Sequence, residues 1–187
     1  GIKSRTRLYE IPRNIKYVIV PPRMSLYIKK SKEVVGIYLD FVAEEDLHIY
    51  SIDECFIDAT PYLKLYKTDA LSFAKTLKEA VFSETRITAT AGIGTNIFLA
   101  KVALDITAKH EVDGIGYLDE ALVQEKIWHH RPITDIWNIG PGIARRLSKY
   151  AVYDLAGVAA MKKETLFKEF GVNAELLIDH AWGMEPC

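Results

Sequence analysis

From Arg23 onward apolar residues fall at helical intervals: Ile28, Val35, Leu39 and Val42 are spaced by 7, 4 and 3. That spacing predicts one helix with a single inward face, ending near Glu44-Glu45-Asp46. Before it, Lys16-Tyr17-Val18-Ile19-Val20 is a β-rich run closed by Pro21-Pro22 and predicts a short strand. After it, Leu47-His48-Ile49-Tyr50 and Cys55-Phe56-Ile57 predict two strands joined through Ser51-Ile52-Asp53-Glu54. Pro61 to Lys67 reads as a connector or short helix. Asp69 or Ser72 can cap the next helix, where Phe73, Leu77 and Val81 repeat every four residues. The β-branched run Arg86 to Gly92 predicts a strand. Thr95 or Asn96 then caps a helix through Ala108, with Leu99, Val102, Ala103 and Ile106 inward.

The order β, α, β, β, α, β, α fits an α+β fold with a split βαβ, ferredoxin-like layout on a mostly antiparallel sheet. The texture changes near Val112-Asp113-Gly114. One strand, Ile115-Gly116-Tyr117, precedes an almost wholly helical segment from Asp119 onward. A domain boundary is placed at about residue 111.

At 187 residues, 49% apolar and 26% charged, the chain has room for one domain or two small ones and is too apolar to be disordered. No run approaches the ~18 apolar residues of a membrane span. No apolar leader follows Gly1, and two cysteines cannot frame a disulfide scaffold, so a reducing, cytoplasmic setting is expected. Net charge is −1, but its distribution is uneven. Residues 1–32 hold nine Lys/Arg against one acid, and residues 33–70 hold nine acids against two lysines. A basic block beside an acidic one suits a polyanion on one side and a metal on the other. Two solvated faces of opposite sign would look the same.

Asp53 and Glu54 are neighbours between two strands, and strand neighbours point to opposite faces. A turn there would be needed to bring both carboxylates to one cation, where hard oxygens suit Mg²⁺. An acidic hairpin tip is the plainer alternative. Further on, Thr90-Ala91-Gly92-Ile93-Gly94-Thr95-Asn96 is a strand and glycine turn opening a helix that carries Lys101. Glycines let a backbone approach a ligand, and helix N-termini favour anions. In the tail, Ile139-Gly140-Pro141-Gly142 lies inside an apolar-x-Gly-Pro-Gly-x-x-x-x-Leu run ending at Leu147. It predicts a helix-hairpin-helix whose free N–H groups at Gly140 and Gly142, with Arg145 and Arg146, bind a DNA phosphate without reading bases. A ligand-free helix hairpin fits as well. The five histidines lack metal-site spacing.

Tyr50-Ser51-Ile52-Asp53-Glu54-Cys55-Phe56-Ile57-Asp58 resembles the Ser-Ile-Asp-Glu-x-Phe-x-Asp palm motif of Y-family, DinB/UmuC-like translesion DNA polymerases. The Gly92 to Lys101 run is similar to their Gly-Ile-(Ser/Ala)-x-Asn-Lys-x-(Leu/Phe)-Ala-Lys motif, with Gly94 and Ile97 as departures. The resemblance implies a remnant of the fingers over 1–20, a palm over 21–111 and a thumb over 112–187. It implies that Asp53 and Glu54 are catalytic metal carboxylates, that Lys101 contacts the triphosphate, and that Asp58 is structural. The implied activity is two-Mg²⁺ transfer of a dNTP to the primer of a primer–template DNA during lesion bypass and the SOS response. The sliding clamp is an implied partner through C-terminal segments beyond this chain. A further metal-binding Asp, expected ahead of Gly1, is absent, so the chain is expected to be a piece with little or no polymerase activity of its own. Two other readings compete: a non-catalytic DNA-binding repair scaffold, and a nucleotidyl cyclase-like palm.

Overall fold

The structure, a computed structural model, describes residues 6–185. Lys3 and Arg5 of the basic block, and the Pro186-Cys187 end, lie outside the described residues.

The described residues form two small two-stranded sheets and a series of helices. Strand β1 (Leu47–Ile49) pairs antiparallel with β2 (Cys55–Ile57), with His48 opposite Phe56. Strand β3 (Ala91–Gly94) pairs in parallel with β4 (Ile115–Leu118), with Gly92 opposite Gly116. The α+β class is as expected, but the single antiparallel sheet is not formed. Among the described residues no strand bond joins β2 to β3. A cleft of about 720 Å³ separates them, lined by Phe56, Phe73, Leu77, Gly92 and Lys101 among others.

Helix α1 (Met24–Leu39) ends more than a turn before the expected stop, and a 3-10 turn occupies Glu44–Asp46. It packs chiefly on α3, so its buried stripe is narrow. Ile37 is buried, whereas Ile28 and Leu39 of the expected inward face are exposed. The strand expected at 16–20 does not form. Among the described residues no strand pairs with it, and Val18 is 87% exposed. Helix α2 (Thr60–Leu65) starts after Asp58, whose Oδ1 accepts the Thr60 amide at 2.9 Å. Helix α3 (Ala70–Thr85) is capped by Asp69, which accepts the Ser72 amide, and it buries Phe73, Leu77 and Val81 as their spacing predicts. Arg86 closes α3 in the left-handed region (φ 61°) instead of opening a strand. Only the four residues that face β4 then become β3.

Asn96 caps α4 (Ile97–Val102), its Oδ1 accepting the Leu99 amide at 2.8 Å. The helix expected to run on to Ala108 instead widens to a π turn at Ala103–Thr107 and tightens to a 3-10 turn at Ala108–His110. This segment lies directly on the backbone of the second sheet. A Cβ on Gly92 would sit 2.1 Å from the Ala100 carbonyl oxygen, and one on Gly94 would sit 2.2 Å from the Ala100 nitrogen. Gly94, a departure from the polymerase pattern, is thus required by the packing here.

Beyond β4 come α5 (Glu120–Leu122) and a π turn at Val123–Ile127. A 3-10 turn at Ile133–Asp135 leads to α6 (Pro141–Ser148), α7 (Leu155–Ala160), α8 (Lys163–Phe170) and α9 (Asn173–Ala181). The helix expected before the Gly-Pro-Gly turn is only that 3-10 turn. Ile133, Ile136 and Ile139 are all buried, a period of three that suits 3-10 geometry better than α.

Two apolar cores result. The larger runs from Phe98 and Leu99 through Leu118, Ile139 and Leu147 to Leu177 and Ala181, so residues on both sides of position 111 share it. The smaller comprises Val42, Tyr62, Phe73 and Leu77, with Leu47 and Ile57 of the β1–β2 hairpin packed against it.

Gly92→Ala is expected to lower unfolding free energy by about 3 kcal/mol, the upper part of the range for overpacking, because the obstacle is backbone. Gly140→Ala, with nothing within 4 Å of the added Cβ, is expected to stay within about 0.5 kcal/mol of the parent. Urea unfolding of both variants measures the contrast.

Candidate active site

The carboxylates sit on the turn of the β1–β2 hairpin. The amides of Tyr50 and Ser51 both bond the Glu54 carbonyl, at 3.1 and 3.0 Å, which closes a tight loop over Ser51-Ile52-Asp53. The chain therefore bends between the acidic neighbours and the strand before them, as the motif requires. Below the hairpin, the Tyr62 hydroxyl accepts the Ala43 amide at 2.7 Å and donates to Asp46 Oδ2 at 2.6 Å. The Asp58 amide bonds the Asp46 carbonyl at 2.9 Å. These bonds fix the hairpin stem to the smaller core.

Lys101 comes from the other core. It lies on α4 and is 6% exposed. Its Nζ reaches across to Glu54 Oε2 at 2.8 Å and contacts both oxygens of Asp105 at 3.1 Å. It also stands 5.8 Å above the Tyr50 ring, within the range of a cation–π contact. Burial disfavours the ammonium, but the bonds to Glu54 and Asp105 outweigh that, and the lysine pKa is held above its ordinary value. The group is charged at neutral pH.

Glu54 and Lys101 are thus brought together. Asp53 is exposed and keeps to its own turn, with Oδ1 accepting the Ser51 hydroxyl at 2.9 Å. Among the described residues Asp53 Oδ2 and Glu54 Oε1 have no hydrogen-bond partner. Carboxylate oxygens are the ligand type that a hard divalent cation takes. Among the described residues no group of three or more His, Cys, Asp or Glu converges to hold a metal. Burial pushes the Cys55 thiol up to about 11, so it is a neutral strand residue and no thiolate ligand.

Asp105 joins Glu54 on the ammonium, and its spacing of four from Lys101 on a helix is the signal that points to it. Tyr50 and Trp137 also border the site. Trp137 Nε1 donates to the Tyr50 hydroxyl at 3.0 Å across 87 positions of sequence, which no local pattern reveals.

The second candidate region surrounds α6. Gly140 is extended at its N-cap, and the first intrahelical bond runs from the Ala144 amide to the Gly140 carbonyl at 3.1 Å. The Gly142 and Ile143 amides therefore precede the ladder, and Gly142 is exposed. Arg145 is exposed. Arg146 is turned away: its Nη1 donates to the Glu169 carbonyl at 2.9 Å and its guanidinium lies 4.3 Å over the Phe170 ring.

A hairpin bearing two acidic neighbours, set against a helix lysine and followed by a helical segment, is the palm-and-thumb arrangement of Y-family polymerases. DinB from Sulfolobus solfataricus has the same fold, with a TM-score of 0.72 at 24% identity over 90% of this chain and 49% of that one. A family profile described as impB/mucB/samB matches residues 1–105, and the chain belongs to that family. A Bacillus subtilis protein named for UV-damage repair, UvrX, is 36% identical over 99% of this chain and 43% of its own length. DNA polymerase IV 2 of the same species is 31% identical over 99% of this chain and 44% of its own length. The chain thus spans less than half the length of these relatives.

The raised pKa of Lys101 fixes the sign of a pH effect. The stabilisation it lends is full below the ordinary lysine value of 10.5 and fades as pH rises through the higher value of the folded state. The gap in urea midpoint between the parent and Lys101→Met is expected to be wide at pH ~8 and to narrow as pH rises past 10.5. A gap that stays constant counts against the ion triad.

Proposed function

We propose that this chain is the palm and thumb part of a lesion-bypass DNA polymerase. In the intact protein, Asp53, Glu54 and Lys101 would serve transfer of a dNTP to a primer terminus. The observation that carries the reading is the Glu54–Lys101 contact at 2.8 Å. It sets a carboxylate of the Ser-Ile-Asp-Glu motif against the lysine of the Gly-x-Gly helix, two motifs 47 positions apart. Membership of the impB/mucB/samB family and the polymerase IV relatives support it. The palm would span 21–111 and the thumb 112–187, with β4 at the start of the thumb span pairing onto β3 of the palm.

Asp53 Oδ2 and Glu54 Oε1 are the oxygens that would hold Mg²⁺. Such an ion, when bound, neutralises triphosphate charge and makes the attacking hydroxyl more acidic. The protein's own part is placement. Lys101 is charged and shielded from bulk water, and it needs only to exchange one carboxylate oxygen for a phosphate oxygen to bind a nucleotide. Asp105 keeps it in place during the exchange. The amides of Gly142 and Ile143 that precede the helix ladder, with Arg145, would take a backbone phosphate of the DNA duplex. No helix among the described residues is long and apolar enough to cross a membrane. We assign the activity to DNA repair under the SOS response in the cytoplasm.

Binding of a recessed-end duplex is expected to be weak, independent of sequence and stronger at low salt. Arg145→Ala should lower the affinity by a few fold and reduce the slope of log K against log salt by about one. Gly142→Asp should abolish binding. Fluorescence anisotropy across a salt series measures all three, and unchanged binding in both variants would overturn the hairpin assignment. Primer extension by this chain alone is expected to be undetectable, since no third carboxylate joins Asp53 and Glu54 among the described residues. Robust extension would sink that account of the site.

A further inference from the structure

The two halves of the site stand on different cores. Glu54 rides on the β1–β2 hairpin over the smaller core, and Lys101 rides on α4 in the larger one. With no strand bond between β2 and β3, the main-chain ladder does not set the distance from the carboxylate turn to the ammonium. Something else must.

Beside the ion pair, that role falls to an aromatic contact. Tyr50 and Glu54 are the closing pair of the hairpin turn, so a displacement of one carries the other. The Tyr50 ring meets Phe56 edge-on at 5.4 Å and Trp137 edge-on at 5.9 Å. Its hydroxyl accepts the Trp137 indole N–H at 3.0 Å. Trp137 in turn belongs to the larger core. It lies between buried Ile136 and Ile139 and parallels the His180 ring at 6.5 Å. His180 stacks on Phe98 of α4 at 3.8 Å, in the same helix as Lys101. An unbroken row of rings therefore leads from the carboxylate turn back to the helix that carries the ammonium.

We propose that Tyr50 and Trp137 form a strut that positions the carboxylate turn against Lys101. Both are positioning residues: they act on Glu54 and Lys101 through the turn and the helix, and neither is required to touch a substrate. Trp137 also stands three positions before Gly140, so the strut ties the turn to the loop that leads into α6. The importance of the strut rests on the reading of Glu54 and Lys101 as the working pair. Its existence does not, and the test needs neither DNA nor nucleotide.

The test is nuclear magnetic resonance on the isotope-labelled chain. The indole N–H signal lost in Trp137→Phe identifies Trp137 among the three tryptophans. Tyr50→Phe is expected to shift that signal while leaving those of Trp128 and Trp182 in place. It should also speed exchange of the Lys101 ammonium protons with water by about three- to tenfold, the factor that loss of one hydrogen bond carries. Trp137→Phe should give a similar acceleration. The double variant should exceed neither single one, as two partners in one contact require. The Trp128 indole, bonded to the Ala181 carbonyl at 2.7 Å, serves as the internal standard. Acceleration at Trp128 as well as Lys101 would mean general loosening and would overturn the proposal. Unchanged exchange at Lys101 in both single variants would overturn it too. Failure of the chain to bind DNA would tell against the polymerase reading and leave this result standing.

Discussion

Close contact between the α4 backbone and the β3–β4 sheet is the constraint from which the site follows. Helices normally rest on sheets through a layer of side chains. Here Gly92 and Gly94 remove that layer, and the main chain around Ala100 sits within the volume a methyl group would fill. Gly116 on the partner strand does the same beneath Ala103 and Thr107. Drawn in this far, α4 can bury the stem of Lys101 and still deliver its ammonium to the cleft. The local widening to a π turn at Ala103–Thr107 belongs to the same contact and includes Asp105, the second carboxylate on that ammonium.

The electrostatics then balance burial against pairing. An ammonium this deeply placed would lose its proton more readily if left alone, and two carboxylates reverse that tendency. Glu54 and Asp105 remain about one-third exposed, so each stays open to solvent and to a competing cation. The arrangement is a cluster of one ammonium and two partly exposed carboxylates.

Much of this was legible in the sequence where the signal is local. The β1 and β2 strands, the Asp69 and Asn96 caps, the four-residue repeat of α3 and the glycine turn all came from nearest-neighbour chemistry, and the structure has them. The family resemblance, carried by two short motifs, was borne out by the family profile. What escaped was long-range. The parallel pairing of β3 with β4 and the split into two sheets depend on partners, and period-two patterns are silent about partners. The run Tyr17 to Val20 has strand composition, yet among the described residues no neighbour supplies the bonds that would make it one. Arg145 and Arg146 read alike in sequence, but only the first faces outward, because Phe170 and the Glu169 carbonyl capture the second. The Tyr50–Trp137 contact joins residues with no shared periodicity at all.

Division of the apolar interior into a large and a small cluster has a further effect. A cluster of four buried residues holds far less free energy than one of twenty, so the two regions need not open together. The region around the acidic hairpin can melt and re-form as a unit while the helical remainder stays native. The contact of Glu54 with Lys101 would then come and go on its own clock, and anything that braces the hairpin would raise the fraction of molecules that hold it without altering how the rest of the chain folds.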